Sequence, residues 1–572
     1  MIGLSKGNGT TSATMPRSAA ASTHPQVLVN RERCAGCQDC LIRCPTEALS
    51  LDPIDWVVQA DDARCVGCRQ CVRVCAFSAI QVEGPRLVAA SHPAQTFHPS
   101  TIIGDTREIR TGFASWKEAA VEADRCLNCP DPTCARGCPA HNNIPGFIAA
   151  LREQDLDKAH AILRETSVLP DICSRVCDWN RQCEGACSWK LAGEQPVAIG
   201  RLERFVTEQQ AVPALKRAPS ADAPFSAVIV GSGPAGIAAA WELLAAGAEV
   251  TMLEKDLEPG GVLRWGIPSY VLPDDVVRRP FSALQEAGLH LELGVQLGRD
   301  VNLDTLLAEH DVVILAHGAS VPSKLRATGA DLDGVEDATT FLTRGKRALQ
   351  DGLALVDLPK GSCILVVGAG NTAMDAARTA LRLGIKAVAV EWMDERFANV
   401  RPDELVEARE EGVDIRFTTT VERLDGDDKG FVKAALLRRT QQTKAGTLPK
   451  VLPGSPEQLP IDRVVVATGY RVDASVAGER APNLPLPRPD LSQTIPDRRW
   501  LASGILSTAS PVGLQALARD VLLTQATVAR SDRVWVAGDA LAGPSTVVSS
   551  MAHGREAARA ILRHEVSQTT WQ

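Results

Sequence analysis

The sequence predicts a multidomain α/β protein in which a cysteine-rich amino-terminal part precedes two similar α/β folds. Three observations lead to this prediction. The chain has 572 residues, which is too long for a single hydrophobic core. Sixteen of its 17 cysteines precede residue 190. Two later segments each contain an apolar strand, a glycine-rich turn, a helix and a second strand that ends in glutamate.

Composition excludes several classes of partner. The 61 basic and 69 acidic residues are well mixed and give a formal net charge of −8, so no basic field is available for nucleic acid. No run of 18 apolar residues predicts a membrane span. Residues 1–24 are small and polar, lack the apolar core of a secretory signal and are expected to form a disordered tail. We therefore expect a cytoplasmic protein, in which clustered cysteines indicate metal or redox centres rather than disulfides.

The first two cysteine groups repeat one spacing, C-x2-C-x2-C-x3-C, at an interval of 31 residues. In such a run three thiolates bind one [4Fe–4S] cluster, and the fourth binds the neighbouring cluster. Structural zinc is the alternative, but zinc favours two C-x2-C pairs separated by a longer loop. The spacing predicts two interleaved ligand sets: Cys34, Cys37, Cys40 and Cys75 for one cluster, and Cys65, Cys68, Cys71 and Cys44 for the other.

Residues 25–84 closely resemble the bacterial two-cluster ferredoxins on the strength of these two motifs. The sequence departs from that family at Ala76, where the family usually has the proline that is present at Pro45. This change alters a turn and removes no predicted ligand.

The other eight cysteines follow a different pattern on either side of a segment, residues 147–165, with helical apolar periodicity. They form the groups C-x2-C-x4-C-x3-C, from Cys126 to Cys138, and C-x3-C-x5-C-x3-C, from Cys173 to Cys187. Together with residues 196–205 (PVAIGRLERF), these groups resemble the cluster domain of the glutamate synthase small subunit. Dihydropyrimidine dehydrogenase and the large subunit of bifurcating ferredoxin:NADP oxidoreductases contain the same domain.

That resemblance implies two further [4Fe–4S] clusters in a helical domain. The implied ligands are Cys126, Cys129, Cys134 and Cys187 for one cluster, and Cys138, Cys177 and Cys183 for the other. Glu203 is the candidate for the fourth ligand of the second cluster, because the family admits a non-cysteine ligand there. Cys173 is the alternative, since a carboxylate is a hard ligand among soft thiolates.

Residues 225–255 carry a G-x-G-x-x-G fingerprint between a buried strand and a helix. Gly231 makes the turn off the strand, Gly233 lets backbone N–H groups approach a pyrophosphate, and Gly236 lets the helix pack closely on the sheet. Glu254 follows Gly231 by 23 residues, at the position expected to bind a ribose hydroxyl. This segment predicts a Rossmann-like dinucleotide site.

The fingerprint recurs in residues 361–391, with Gly368, Gly370 and Ala373 in the same positions. Glu391 follows Gly368 by 23 residues, the same spacing as in the first fold. Two fingerprints imply two dinucleotides.

Resemblance to the same family and to flavoprotein disulfide reductases implies that the first fold binds FAD and the second, inserted between residues 319 and 464, binds NAD(P)H. In those families the aspartate of the pair Gly538–Asp539 meets the flavin ribityl chain, although Asp539 could also be a simple helix cap. The remaining residues implied by the resemblance are Gly261, Leu263, Ser545 and Thr546 at the flavin and Asn371, Thr372 and Gly469 at the nicotinamide nucleotide.

These assignments divide the chain into eight segments. They are a tail (1–24), a two-cluster ferredoxin domain (25–84), a linker (85–117), a helical two-cluster domain (118–210), a second linker (211–224), the amino-terminal segment of the FAD domain (225–345), the NAD(P)H domain (346–470) and the carboxyl-terminal segment of the FAD domain (471–572).

Glu391 predicts a preference for NAD(H). An acid at this position accepts hydrogen bonds from a ribose 2′-hydroxyl and repels the 2′-phosphate of NADP. NADPH-using members of the family place an aromatic residue and two arginines where this sequence has Glu391, Trp392 and Met393. The opposing possibility is that Arg396 or Arg401 folds back to bind the phosphate.

We therefore expect an NADH:acceptor oxidoreductase subunit that moves electrons between NAD(H) and a ferredoxin or a larger partner subunit, through FAD and four [4Fe–4S] clusters. No catalytic side chain is expected, because the cofactors perform hydride transfer. The alternatives are an NADPH-oxidising subunit like that of glutamate synthase, an NAD-reducing subunit of a 2-oxoacid or aldehyde oxidoreductase, a flavin-based bifurcating enzyme and a non-catalytic redox sensor.

Overall fold

A computed structural model describes residues 23–88, 98, 103–217, 225–473, 476, 529–531 and 533–569. Most of the predicted tail, half of the second linker (218–224), and residues 477–528 of the carboxyl-terminal FAD segment therefore lie outside the described residues. The chain divides into two compact units, Met1–Val88 and Ala89–Gln572.

The first unit repeats one arrangement of loop, short helix and strand. Its elements are β1 (Gln26–Val29), α1 (Asp39–Ile42), β2 (Leu49–Leu51), β3 (Val58–Ala60), α2 (Gln70–Val74) and β4 (Ile80–Glu83). β1 pairs with β4 and β2 with β3, both antiparallel. The backbone repeats with the cysteines, because left-handed residues recur 31 positions apart: Gly36 and Gly67, Gln38 and Arg69, and Glu47 and Ser78.

The second unit begins with a helical region. Its helices are α3 (Trp116–Ala123), α4 (Thr133–Gly137), α5 (Ile144–Arg152), α6 (Leu156–Thr166), α7 (Pro170–Val176), α8 (Ser188–Leu191) and α9 (Ile199–Gln209). Ser115, Asn143 and Asp155 cap the starts of α3, α5 and α6 by accepting backbone N–H groups. The core of the region contains the buried side chains of Phe147, Leu163, Ile172 and Leu202.

The first nucleotide fold is a six-stranded sheet with the order β20-β21-β8-β5-β6-β7. Its strands are β5 (Ser226–Val230), β6 (Glu249–Glu254), β7 (His290–Leu293), β8 (Val312–Leu315), β20 (Ala529–Ser531) and β21 (Val534–Val536). Its helices are α10 (Pro234–Ala245), α11 (Val262–Trp265), α12 (Asp274–Glu286), α13 (Leu303–Glu309), α17 (Asp539–Ala542) and α18 (Val547–Thr569). All pairs are parallel except β20–β21.

The second nucleotide fold is a parallel five-stranded sheet with the order β10-β18-β11-β12-β13. Its strands are β10 (Val335–Asp337), β11 (Cys363–Val367), β12 (Lys386–Val390), β13 (Asp414–Arg416) and β18 (Arg463–Val466). Its helices are α14 (Ala338–Asp351), α15 (Asn371–Arg382), a 3₁₀ turn (Glu395–Phe397) and α16 (Pro402–Glu410). A small antiparallel sheet is added by β14 (Thr419–Gly426), β15 (Val432–Gln441), β16 (Lys450–Val451) and β17 (Glu457–Pro460).

The chain enters and leaves the second fold side by side. β9 (Val321–Pro322) pairs antiparallel with β19 (Tyr470–Arg471), so the insertion has two adjacent connections. β10 already belongs to the inserted sheet, and α14 runs across the predicted boundary between residues 345 and 346. The inserted sheet thus starts at Val335, because a three-residue strand carries too little periodicity to mark a boundary in the sequence.

A buried ionic network joins the predicted first linker to the second fold. Arg110 donates to Glu404 and Glu407, while Arg378, whose side chain is 0% exposed, donates to both and to Glu411. Because every charge of this group has an opposite partner, the network fixes residues around 110 against α15 and α16.

The multidomain α/β class is confirmed, with Rossmann-type sheets in the second unit. None of the helices within the described ranges is long and apolar enough to cross a membrane.

Candidate functional site: two nucleotide turns beside a cysteine-rich region

The first glycine turn has the geometry that a pyrophosphate requires. Gly231 follows β5 with φ of 106°, and a Cβ there would lie 2.5 Å from the Ala316 carbonyl oxygen. A Cβ on Gly236 would lie 2.0 Å from the Gly231 carbonyl oxygen, so both positions need glycine for packing. Gly233 differs, because a Cβ there would have no atom within 4 Å. The space above Gly233, at the start of α10, is therefore open to a phosphate.

The second turn repeats this geometry. Gly368 has φ of 116°, and its Cβ would lie 2.6 Å from the Ala467 carbonyl oxygen. A Cβ on Gly370 would meet nothing closer than the Asn399 carbonyl oxygen at 4.0 Å. Asn371 and Thr372 form the first turn of α15 and face open space, whereas Ala373 is fully buried.

The two strand-end glutamates make equivalent contacts. Glu254 accepts hydrogen bonds from the backbone N–H groups of Ser232 at 3.1 Å and Asp256 at 3.0 Å. Glu391 accepts from the N–H groups of Ala369 at 3.0 Å and Met393 at 3.1 Å. Burial raises the pKa of Glu391 above its ordinary value, and these N–H donors oppose that rise.

Two arginines near the second turn are engaged by aspartates. Arg396 binds Asp394 at 2.8 Å, and its side chain is 70% exposed. Arg401 is buried and paired with Asp403, and it donates to the Val176 carbonyl oxygen at 3.1 Å.

Both turns open into one cavity of about 1640 Å³. This volume is large enough for extended dinucleotides, and the cavity wall is mixed polar and apolar. Predicted site residues that line it are Gly231, Gly233, Glu254, Gly261, Gly368, Gly370, Asn371, Thr372, Glu391, Gly469, Asp539, Ser545 and Thr546. Four others, Gly236, Leu263, Ala373 and Gly538, do not line it and pack behind its wall.

Asp539 lies at the carboxyl-terminal side of the first fold and does not cap its helix, because Gly538 occupies the cap position of α17. Its Oδ1 atom accepts hydrogen bonds from the hydroxyls of Ser545 at 2.6 Å and Ser550 at 2.5 Å. These contacts hold the carboxylate at the cavity wall, where a hydroxylated ligand chain could reach it.

The cavity wall includes residues that sequence reasoning missed. Asp178, Gln182 and Arg181 come from the helical region, and Trp265 and Asp375 come from the two nucleotide folds. The only sequence signal for Asp375 is its position one helical turn after Asn371, which places both on one face of α15. Nothing in the sequence points to the helical-region residues, because their approach to the cavity is a tertiary contact.

The helical region touches the cavity beside a predicted cluster ligand. Gln182, which precedes Cys183, donates to the Thr546 hydroxyl at 3.3 Å. Arg181 donates to the side chain of Asn399 at 2.9 Å and to the Val400 carbonyl at 3.0 Å. The residues that precede the predicted ligand Cys183 therefore contact both nucleotide folds.

Thiols of the first unit lie near other members of their predicted sets, and Cys71 is also near Cys40 of the other set. Burial raises the pKa of Cys40 to about 11, with smaller effects from Cys37, Cys75 and Cys34. Burial raises the pKa of Cys71 to about 12, and Cys68, Cys44 and Cys65 add to this shift. Such thiols ionise readily only beside cations, so these donor sets fit soft iron–sulfur clusters.

The helical region also forms two groups of thiols. Burial raises the pKa of Cys126 to about 11, and Cys129 and Cys187 contribute; the pKa of Cys134 is raised by burial and by Cys187, Cys126 and Cys129. Burial raises the pKa of Cys183 as well, with effects from Cys138 and Glu203. Cys134 of the first group also affects the Cys183 thiol, so the two groups adjoin, and the assignment of ligands to each cluster stays a prediction.

Both candidates for the last ligand lie in the second group. The Cys177 thiol contacts Cys173, which is the main cause of its raised pKa. Burial and then Cys173 raise the pKa of Glu203 well above its ordinary value. Within the described ranges, no group of three or more histidine, cysteine, aspartate or glutamate side chains is placed so that it could hold a single metal ion. A cubane differs from such a site because each thiolate binds a different iron atom.

Family models match three segments of the chain. Residues 26–76 match a 4Fe-4S dicluster domain, residues 103–214 match dihydropyrimidine dehydrogenase domain II with its 4Fe-4S cluster, and residues 225–488 match pyridine nucleotide-disulphide oxidoreductases.

Curated relatives match over most of their length. The glutamate synthase (NADPH) small chain of Halomonas elongata is 31% identical, over 78% of this chain and 90% of the relative. The NAD-dependent dihydropyrimidine dehydrogenase subunit PreT of Escherichia coli is 30% identical, over 79% of this chain and 96% of PreT. Escherichia coli UacF is 29% identical over 96% of this chain and 88% of its own length.

Among solved structures, Mycobacterium tuberculosis FprA in complex with NADPH is 21% identical, with a TM-score of 0.45 over 61% of this chain and 86% of FprA.

The fold, the two nucleotide turns and the clustered thiols define an iron–sulfur flavoprotein that acts as an FAD/NAD(P) oxidoreductase. The chain belongs to the family of the glutamate synthase small chain, with a ferredoxin-like domain at its amino terminus. The predicted family is thereby confirmed. The number of clusters, the individual ligands and the choice between NADH and NADPH remain predictions.

Proposed function

We propose that the protein is an NADH-dependent electron-transfer subunit, which passes electrons between NAD(H) and a partner protein through FAD and four [4Fe–4S] clusters. The observation that carries the nucleotide preference is the Glu391 carboxylate, buried beside the open space above Gly370. An adenosine ribose bound at this turn would place its hydroxyls on Glu391, and a 2′-phosphate there would meet a negative charge.

The surroundings of Glu391 support this proposal. The two arginines that could reverse the preference are held by Asp394 and Asp403, so binding a phosphate would first require breaking an ion pair. The position of Arg401 is further set by its contact with the helical region. The relatives include both nucleotide types by name, an NADPH glutamate synthase chain and an NAD-dependent subunit, so membership of the family leaves the preference open.

The residues of the first turn are proposed to hold FAD, with its pyrophosphate above Gly233 and its ribityl chain near Asp539. FAD bound at this turn would supply the chemistry that links two-electron hydride transfer to one-electron transfer. The protein supplies the shared cavity, which lets the two ligands meet, and the wall formed by Gln182 beside Cys183.

The four clusters are proposed to continue the route towards a partner. The cluster of Cys138, Cys177 and Cys183 is the candidate entry point, because Gln182 contacts Thr546 at the flavin side of the cavity. A ferredoxin or a larger oxidoreductase subunit is the proposed partner, as PreT and the glutamate synthase small chains are named as subunits or chains of larger enzymes.

The test is anaerobic stopped-flow mixing of the iron-loaded protein with NADH and, separately, with NADPH. We expect NADH to bleach the flavin and cluster absorbance at a much higher kcat/KM than NADPH. A preference for NADPH would contradict the role of Glu391 and favour the second candidate, an NADPH-oxidising subunit like the glutamate synthase small chain. Bleaching by neither nucleotide would contradict the entire proposal.

A further inference from the structure

Asp375 lies where α15 of the second nucleotide fold meets the first fold. It lines the shared cavity together with Asn371, and Trp265 of the first fold lines the same cavity. The Tyr270 hydroxyl, also from the first fold, donates to the backbone carbonyl of Asp375 at 3.1 Å and lies 3.2 Å from the Thr379 hydroxyl. Asp375 is therefore at the junction of the two nucleotide sites.

The junction is where the nicotinamide half of a dinucleotide must lie. At the second turn the pyrophosphate sits at the start of α15 and the adenosine ribose at Glu391. The nicotinamide then extends from the pyrophosphate in the opposite direction. Hydride transfer requires it to contact the flavin, whose site is lined by Gly233 and Thr546. The ring consequently reaches the region of Asp375.

The Asp375 carboxyl has an unmet hydrogen-bonding requirement. The residue is 7% exposed, and its Oδ1 atom has no hydrogen-bond partner among the residues that the structure describes. Arg378, Arg110 and Arg401 are near enough to affect this carboxyl, but none is seen to donate to its Oδ1 atom. Arg378 and Arg110 donate to Glu404 and Glu407, and Arg401 donates to Asp403. A buried acceptor without a donor is unfavourable, so this atom is suited to a ligand that supplies one.

We propose that Asp375 binds the carboxamide group of the nicotinamide ring. This inference rests on the proposed function, because it assumes that the second site holds NAD(H). A carboxamide presents N–H donors and a carbonyl acceptor in one plane. Burial, and next the Glu404 carboxylate, raise the pKa of the Asp375 carboxyl well above its ordinary value. A protonated carboxyl has one donor and one acceptor, so it matches both sides of the carboxamide.

Ligand binding to the FAD- and iron-loaded protein tests the inference without turnover. Affinities are measured by isothermal titration calorimetry for NAD⁺, for ADP-ribose, which lacks nicotinamide, and for 3-acetylpyridine adenine dinucleotide, in which a methyl ketone replaces the carboxamide. We expect NAD⁺ to bind roughly tenfold more tightly than the acetylpyridine analogue, the value of about one buried hydrogen bond.

Two variants test whether Asp375 causes the tighter binding of NAD⁺ than of the acetylpyridine analogue. Asp375→Leu is similar in shape and lacks both hydrogen-bonding groups, so it is expected to remove the tenfold margin and leave ADP-ribose affinity unchanged. Asp375→Asn keeps a donor and an acceptor and is expected to retain the margin. Asp375→Ala replaces the leucine variant if that variant does not accumulate with normal FAD and iron content.

Equal affinity of the unmodified protein for NAD⁺ and the acetylpyridine analogue would overturn the inference, as would a margin that survives in Asp375→Leu or Asp375→Ala. If the unmodified protein binds neither NAD⁺ nor ADP-ribose, the proposed function fails and the inference fails with it. If the protein binds ADP-ribose but binds NAD⁺ and the acetylpyridine analogue equally, the inference is wrong while the proposed function stands.

Discussion

The Glu391 carboxylate accepts a hydrogen bond from the backbone N–H of Ala369 at 3.0 Å. This hydrogen bond joins the end of β12 to the glycine turn after β11. The first fold contains the same link, from Glu254 to Ser232 at 3.1 Å. Each strand-end acid therefore binds the backbone of its glycine turn and also lines the shared cavity. Its charge and its hydrogen bonds can be separated by substitution.

Glu391→Gln should change nucleotide selectivity without opening the turn. The glutamine carbonyl can still accept from Ala369, but the negative charge is lost. We expect kcat/KM for NADH to fall about tenfold, because a charged hydrogen bond is worth about 1.5–3 kcal/mol and a neutral one less. The value for NADPH should rise. Both are measured by anaerobic stopped flow.

The control for this change is Glu254→Gln in the first fold, which removes the same charge from the equivalent position. It should lower FAD content and leave the ratio of NADH to NADPH kinetics unaltered. An unchanged ratio in Glu391→Gln would contradict the proposed role of Glu391.

Selectivity should depend on pH through the same carboxyl. Burial raises the pKa of Glu391, so the group becomes neutral at a higher pH than an exposed glutamate. As the pH falls through this raised pKa, repulsion of the 2′-phosphate disappears and the preference for NADH should shrink. The ratio of kcat/KM values is measured across the acidic range.

The 2′-phosphate of NADPH also titrates, with a pKa of about 6 for a phosphate monoester. Glu391→Gln reports this contribution alone, because it has no carboxyl at the position. If the unmodified protein and Glu391→Gln show the same pH dependence, Glu391 is not the cause.

Alanine substitutions at Gly233 and Gly370, the glycines that face open space, should affect FAD binding and NAD⁺ binding separately. Gly233→Ala and Gly370→Ala place a methyl group in space that is free of protein atoms, and both positions have ordinary negative φ values. We expect neither to reduce the thermal stability of the protein stripped of FAD. Gly233→Ala should lower FAD content, whereas Gly370→Ala should retain FAD and weaken NAD⁺ binding by calorimetry.

Gly231→Ala provides the contrast for these variants. Its φ of 106° and the carbonyl oxygen 2.5 Å from the added Cβ require the backbone to move. It should lower the unfolding temperature even without FAD. If alanine at Gly231 and alanine at Gly233 lower the unfolding temperature equally without FAD, then packing within the protein, and not space for a ligand, requires glycine at both positions.

The last ligand of the second helical cluster can be identified by iron content and electron paramagnetic resonance. Glu203→Ala should alter the signal of one cluster or remove its iron, out of about 16 iron atoms for four cubanes. If Glu203 is the ligand, Cys173→Ser should retain the iron content and the spectrum of the unmodified protein. Loss of iron in Cys173→Ser with a normal spectrum in Glu203→Ala would assign the site to Cys173 instead.

Removal of one member of the buried ionic network should strongly destabilise the folded protein. Arg378→Met removes one buried arginine from Glu404, Glu407 and Glu411 and leaves them only Arg110 and Arg382 as buried partners. Loss of one member of a buried ionic network costs about 3–5 kcal/mol. Arg409→Met removes only an ion pair with Glu395 that is about half exposed, worth about 0.2–1 kcal/mol. The two variants are compared by thermal unfolding; similar midpoints would contradict this interpretation.

Local patterns predicted the features of the fold that depend on residues close in sequence. The cysteine spacing indicated the repeat at 31 residues, and the backbone follows it at Gly36 and Gly67. The glycine turns and the glutamates 23 residues later were predictable because a strand, a turn and a helix form one continuous unit. The start of the inserted sheet at Val335 was not, since its first strand has three residues.

The sequence by itself determined the class of protein, the two nucleotide turns and the groups of thiols, because each depends on spacing along the chain. Tertiary structure decided what surrounds them. It brought Gln182 of the helical region to Thr546, held Arg401 against Val176, and left Asp375 buried in the shared cavity. The first two contacts join residues 364 and 225 positions apart. They arise from the packing of separate folds, and the local periodicity of a sequence contains no information about such packing.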